Sequence, residues 1–131
     1  DRPVDPETRV VLGDTMGEMF AYYMACDIAF IGGSLLPFGG QNLIEACSMG
    51  KPVLIGPHTY NFGEASRQAV ASGAALRVTD ADDLALQLQQ LLSEPERMTR
   101  MGRAGLDFVK ANRGATEQAL TLISRALGPH L

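Results

Sequence analysis

The sequence has 131 residues and a mass of 14.0 kDa, enough for one domain with a hydrophobic core. Its composition, 46% hydrophobic and 20% charged, is typical of a globular protein, and no run is long and apolar enough to span a membrane. The net charge of −4 and the lack of a basic patch with interleaved aromatic residues exclude a typical nucleic-acid-binding protein.

The two cysteines, Cys26 and Cys47, both have apolar neighbours in the sequence. We therefore expect buried, reduced thiols rather than a disulfide or a metal pair. Together with His58 and His130, these cysteines show no metal-ligand spacing. The chain begins at Asp1 without a methionine, in a proline-rich lead, which indicates a piece of a longer protein.

Short apolar runs alternate with helical patterns over the first 78 residues. Four apolar runs without polar alternation predict strands buried on both faces, at residues 9–12, 27–31, 52–55 and 75–78. Apolar residues at helical spacing predict helices between them, at residues 16–25, 42–49 and 62–72. This alternation predicts an α/β fold, a Rossmann-like parallel sheet with helices on both faces.

After residue 78 the pattern is helical only. One helix is predicted to start near Asp80, and Pro95 suits the first turn of the next. The apolar positions that define the three helices are Leu84, Leu88, Leu91 and Leu92 for the first, Met98, Met101, Phe108 and Val109 for the second, and Leu120, Ile123 and Leu127 for the last. We treat residues 1–131 as one partial domain, with an α/β part at about 9–78 and a helical part at 79–131.

Three glycine-containing loops follow predicted strands. They hold Gly13-Asp14-Thr15-Met16-Gly17-Glu18, Gly39-Gly40-Gln41-Asn42-Leu43-Ile44-Glu45, and Gly56-Pro57-His58-Thr59-Tyr60-Asn61-Phe62-Gly63-Glu64. In each loop a Thr or Asn is followed three residues later by Glu. Because the loops after parallel strands lie along one edge of the sheet, where ligands bind, we expect these three to lie together.

Two interpretations of the Thr/Asn-to-Glu spacing stay open. In a capping box, the Glu folds back onto the amide of the N-cap residue and binds no ligand. Alternatively, a carboxylate in the first turn can accept both hydroxyls of a ribose through charge-assisted hydrogen bonds. We choose Glu45 for that second role, with a phosphate over the backbone amides near Gly40 to Asn42.

His58 also has two interpretations, as a donor to an anionic ligand or as a turn residue with local hydrogen bonds. Several chemistries have no motif in this sequence: it lacks a G-x-G-x-x-G fingerprint, a P-loop lysine pattern and a G-x-S-x-G elbow. No pair of carboxylates stands out as a catalytic acid and base.

The order of these motifs closely resembles the C-terminal part of bacterial 3-deoxy-D-manno-octulosonic acid (Kdo) transferases. The resemblance is carried by the three loops and by Gly32-Gly33-Ser34 between them, and it extends from about Val10 to the C-terminus. It implies the incomplete C-terminal half of a GT-B glycosyltransferase, the half that holds the nucleotide of the activated sugar. Position 41, commonly His in that family, is Gln here.

The resemblance also implies which residues bind the donor, CMP-Kdo. Carried over by motif, Met16, Gly17 and Glu18 contact CMP, as do four residues of the second loop: Asn42, Leu43, Ile44 and Glu45. These are binding and leaving-group roles. The general base and the site for the acceptor, lipid A precursor, are expected in an N-terminal domain that this chain lacks.

The expected whole enzyme requires no metal or other cofactor and acts in lipopolysaccharide biosynthesis at the cytoplasmic face of the bacterial inner membrane. The fragment itself is expected to be soluble and inactive, and to bind CMP weakly because its site is incomplete. The resemblance further implies that the predicted strand at residues 9–12 lacks its usual neighbours. We therefore expect that the fragment can form a homodimer through an exposed sheet edge.

Three alternatives remain. A GT-B half that uses a UDP-sugar would keep the ribose-binding Glu and the glycine loops. A non-catalytic nucleotide-binding or protein-interaction domain would use the same sheet without transfer. A dinucleotide-binding oxidoreductase is disfavoured because the glycine fingerprint is missing.

Overall fold

The computed structural model describes Glu7 and residues 19–127. These residues form five helices and three strands that alternate as far as residue 92, with a short 3₁₀ turn at Tyr60–Phe62. In chain order the elements are α1 (Met19–Ala25), β1 (Ala29–Phe30), α2 (Leu43–Cys47), β2 (Val53–Ile55), α3 (Gly63–Ala71), β3 (Ala75–Arg77), α4 (Ala81–Leu92) and α5 (Pro95–Leu127).

The three strands form one parallel sheet in the order β1-β2-β3. Ala29 pairs with Val53, and Leu54 pairs with Leu76, so β2 lies between its neighbours. All three residues of β2 are fully buried, which explains the continuous apolar run in the sequence. The predicted α/β class and parallel sheet are confirmed, although the strands are shorter than predicted. The predicted strand at residues 9–12 lies outside the described residues, as do the first three residues of the helix predicted at 16–25.

Side chains of β2 alternate between two hydrophobic clusters, one on each face of the sheet. Val53 and Ile55 belong to the cluster that contains buried residues of α2, α3 and α5. Leu54 belongs to the second cluster, with Leu91 of α4 and Met101 of α5. Helices therefore cover both faces of the sheet, and its third layer is made by the helical part of the chain.

Helix α4 starts where the sequence predicts, with the Asp80 carboxylate accepting a hydrogen bond from the amide of Asp83 at 2.8 Å. Helix α5 begins at Pro95, also as predicted. It then continues for 33 residues, so the separate last helix that we predicted is wrong. Gly114 weakens a helix without ending it, and residues 96–127 contain no proline.

The two halves of α5 have different surroundings. Met101, Phe108 and Val109 are buried, which confirms the predicted apolar face. Leu120, Ile123 and Leu127, which we took to mark a last helix, are 61%, 54% and 56% exposed. Within residues 19–127, no helix has both the length and the apolar character needed to cross a membrane.

Candidate functional site

The loop between β1 and α2 is closed by its own backbone. Gly33, Gly39 and Gly40 adopt φ values of +74°, +91° and +81°, which side chains other than glycine rarely tolerate. This geometry lets the amide of Gly40 donate to the carbonyl of Gly33, and the amide of Gln41 to that of Gly32, both at 3.0 Å. Two of the three amides predicted to hold a phosphate near Gly40 to Asn42 are therefore used within the loop.

Ser34 joins this loop to the one that follows β2. Its buried hydroxyl donates to the carbonyl of Ile31 at 2.5 Å and accepts from the amide of Gly56 at 2.9 Å. The backbone carbonyl of Ser34 also accepts from the amide of His58 at 2.9 Å. A Cβ on Gly56 would overlap with that same Ser34 carbonyl, so only glycine permits this approach. Ser34 was not among the site residues predicted from the sequence.

Asn61 makes a second connection between the two loops. Its amide donates to the carbonyl of Gly39 at 3.1 Å, and its side chain donates to the carbonyls of Phe38 and Gly40, both at 3.3 Å. Of the two interpretations of the Asn61-to-Glu64 spacing, the structure rules out the capping box, because the side chain of Asn61 donates to the first loop instead of capping α3. The residue at the N-cap of α3 is Phe62, which makes no side-chain cap hydrogen bond.

Asn42 caps α2 as the sequence predicts. Its side-chain oxygen accepts from the amide of Ile44 at 3.0 Å. The reciprocal half of the capping box is missing, since the carboxylate of Glu45 makes no hydrogen bond or ion pair with any residue in the described ranges. Glu45 thus stands in the first turn of α2 as a half-buried carboxylate with its acceptor oxygens available.

The charge of Glu45 acts on Tyr23 of α1. Burial, and after it the negative charge of Glu45, raise the pKa of the Tyr23 hydroxyl above its usual value. Glu45 is therefore close enough to α1 for its charge to act on Tyr23. The Gly13–Glu18 loop immediately precedes α1 in the chain, but the predicted site residues Met16, Gly17 and Glu18 lie outside the described residues.

Some of the remaining predicted site residues lie close together at the loops, and the others pack in or against the core. Gly40, Asn42 and Glu45 share one short segment, and His58 lies across from it, with its carbonyl oxygen 3.4 Å from where a Cβ on Gly40 would stand. Leu43 is 1% exposed and belongs to the core, so only its backbone can reach a ligand. Ile44 is half-buried and packs against the same core cluster.

Arg77 is a residue of this edge that the sequence analysis missed. It ends β3, and its Nη1 donates to the carbonyl of Gly56 at 2.8 Å and to the hydroxyl of Thr59 at 3.1 Å. Its position at the carboxyl end of a predicted parallel strand was the one available indication, because such positions border ligand sites. The two cysteines are free, as predicted, and burial raises the pKa of the Cys47 thiol to about 11.

The sequence of this chain is similar to those of known glycosyl transferases. The family described as Glycosyl transferases group 1 matches residues 3–108. The 3-deoxy-D-manno-octulosonic acid transferase of Bordetella pertussis is 50% identical over 123 residues, which are 94% of this chain and 29% of that protein. The protein of the same name from Haemophilus influenzae is 42% identical over 117 residues, 88% of this chain and 27% of that protein. The chain therefore spans less than a third of the length of these relatives.

The structure of this chain is also similar to a solved structure. That solved structure is the crystal structure of the C-terminal CMP-Kdo binding domain of WaaA from Acinetobacter baumannii, with a TM-score of 0.70 and 28% sequence identity over 74% of this chain and 51% of that one. The predicted resemblance to Kdo transferases is confirmed, and so is the predicted fold, that of a C-terminal GT-B domain. The chain belongs to the group 1 glycosyl transferase family.

Proposed function

We propose that this chain is the donor-binding part of a Kdo transferase and that it binds CMP-Kdo. Two relatives named as Kdo transferases match most of the chain, and the solved domain with the same fold is named for binding CMP-Kdo. The whole protein then transfers Kdo from CMP to a lipid A precursor in lipopolysaccharide biosynthesis, at the cytoplasmic face of the bacterial inner membrane.

The observation that carries this proposal is the available carboxylate of Glu45. Asn42 alone caps α2, so the capping-box interpretation does not account for Glu45. A carboxylate fixed on a helix beside a glycine loop offers two oxygens to the neighbouring hydroxyls of a ribose. The segment before α1, which includes Met16, Gly17 and Glu18, is proposed to complete the nucleoside site.

The proposed contribution to catalysis is stabilisation of the leaving group. Breaking the bond between the sugar and the phosphate builds negative charge on CMP. The amides of Gly40 and Gln41 are occupied, so the proposed donors to that phosphate are the amides of Asn42 and Leu43 at the start of α2. His58, across the loop, is proposed as a further donor, and no metal is required for these roles.

The general base, the acceptor site and the membrane contact are proposed to lie in the rest of the protein. On this proposal the isolated chain binds CMP weakly and transfers no sugar. Any transfer of Kdo by the 131-residue chain alone would contradict this assignment of functions to the two parts of the protein. Formation of a homodimer through an open sheet edge stays a prediction.

Kdo transfer by the whole protein tests the role of Glu45. We expect Glu45→Gln to raise the KM for CMP-Kdo about tenfold or more, because one charge-assisted contact to the ribose is lost. Glu96→Gln is the matched control, since Glu96 is also an acidic residue in the first turn of a helix but lies on α5. An unchanged KM in Glu45→Gln would show that this residue serves the helix alone.

A further inference from the structure

A groove of about 370 Å³ lies on the β3 side of the loop that follows β2. Its walls include His58 and Thr59 from that loop, Gly63 and Arg67 from the first turns of α3, and Arg77 from the end of β3. Of the residues predicted to bind the nucleotide, the groove shares His58 alone. The groove therefore borders the candidate nucleotide site and shares one residue with it.

Arg77 carries a positive charge that no acidic residue in the described part of the chain balances. Its two hydrogen bonds, to the Gly56 carbonyl and the Thr59 hydroxyl, are to neutral acceptors and both come from Nη1. A guanidinium has five N–H groups, so the remaining three have no partner among residues 19–127. The two bonds fix the guanidinium in place while leaving its charge free for a ligand.

Arg67 adds a second cation to the same groove. It pairs with Glu64 at 2.5 Å, but both side chains are about 70% exposed to solvent. An exposed pair of this kind contributes little stability and exchanges partners readily. Arg67 and Gln68 hold the pKa of Glu64 below its usual value, so this carboxylate is ionised and competes with any anion for Arg67.

We propose that this groove binds a phosphate group at a site separate from that of the CMP phosphate. Arginine forks match phosphate oxygens and bind them with two hydrogen bonds each. The start of the nine-residue helix α3 at Gly63 adds a favourable dipole beside the two guanidiniums. No acidic residue is among the groove's described lining residues, and the oxygens of one phosphate can accept hydrogen bonds from both guanidiniums.

The probe for this site is inorganic phosphate, titrated into the 131-residue chain and followed by amide NMR shifts. We expect shifts at Gly63 and His58 that saturate. Arg77→Gln should weaken phosphate binding about tenfold, and Arg67→Gln about two- to fivefold because that residue is exposed. Glu64→Gln should tighten binding, since it frees Arg67 from its competitor.

The control variant is Arg97→Gln. Arg97 pairs with Glu94 at the same i, i+3 spacing on another helix, so its loss changes net charge equally without touching the groove. Phosphate binding should be unchanged in this variant. Equal weakening by Arg97→Gln and Arg67→Gln, or no change in Arg67→Gln and Glu64→Gln, would overturn the proposal. Because Arg67 and Glu64 are exposed, their variants test phosphate binding in the groove even if Arg77→Gln disturbs the loop.

Titration with CMP distinguishes the two sources of phosphate. If the groove is a separate site, inorganic phosphate still binds to CMP-saturated protein and still depends on Arg67. Displacement of phosphate from the groove by CMP would overturn the proposal, because the groove would then be the place of the nucleotide's own phosphate. Binding of phosphate without any binding of CMP would support the groove and contradict the function proposed above.

Discussion

The loop edge of the sheet and the far half of α5 are built in opposite ways. At the edge, Ser34 and Asn61 tie together loops that are more than twenty residues apart in the chain. Residues 113–127 of α5 are all exposed, and their hydrogen bonds with described residues stay within the helix. A residue in a regular helix of this protein therefore does not always make more tertiary contacts than a residue in a loop. An irregular loop edge is held by tertiary contacts, while a long regular helix extends beyond them.

Helix α5 offers the strongest contrast within one element. Phe108→Ala should lower the free energy of unfolding by about 3–5 kcal/mol, because it opens a cavity between the helix and the sheet. Ile123→Ala removes a side chain that is 54% exposed and should change it by less than about 0.5 kcal/mol. Urea unfolding of both variants measures the difference. Similar losses in the two would show that the far half of α5 is packed against something in solution.

Gly56 tests the close approach of the two loops. A Cβ there would overlap with the carbonyl of Ser34, so Gly56→Ala should cost about 3 kcal/mol as the loops separate. Gly63→Ala is the control, since its Cβ meets no heavy atom within 4 Å and its φ of −58° suits alanine. That change should stabilise the chain by about 0.5–1 kcal/mol. An equally tolerated Gly56→Ala would contradict the contact.

A substitution at Ser34 tests the hydrogen bond that joins the two loops. Ser34→Ala leaves the buried amide of Gly56 without its acceptor and should cost about 2 kcal/mol. Ser93→Ala removes an exposed hydroxyl that donates to its own helix at 2.8 Å and should cost less than about 0.5 kcal/mol. Thermal or urea unfolding resolves a difference of this size. Equal effects would mean that the loops do not depend on this serine.

Cys47 gives the smallest expected effect, and it depends on pH. Burial raises the pKa of its thiol from about 9 to about 11, so the folded state favours the neutral form. Below pH about 9 both states carry a neutral thiol and stability is unaffected. As pH rises further, the unfolded state ionises first, and stability should fall by about 1 kcal/mol by pH 9.5. Cys47→Ala should remove this part of the pH dependence, and an unchanged slope would contradict the burial.

Much of the fold follows from the sequence. Buried strands read as continuous apolar runs, and Asp80 and Pro95 mark helix starts through local hydrogen bonding and backbone geometry. We predicted two helices where α5 is one, because the exposed turns in its middle have no apolar face that connects the two apolar patterns. The strands were predicted too long because their flanking apolar residues lie in loops.

The site was predicted less completely, for a physical reason. The cap at Asn42 is a contact over two residues, which local spacing reveals. The contacts made by Ser34, Asn61 and Arg77 join residues about twenty positions apart, and no pattern within either loop encodes them. The same Asn-to-Glu spacing occurs at Asn42 and at Asn61, yet only Asn42 caps a helix, because the side chain of Asn61 bonds to the other loop.

Calorimetric titration of the chain with CMP and with UDP tests the central claim most directly. We expect measurable binding of CMP, weaker binding of UDP, and loss of most of the CMP affinity in Glu45→Gln but not in Glu96→Gln. A preference for UDP would favour the alternative sugar donor, and CMP binding that does not depend on Glu45 would contradict the site described here.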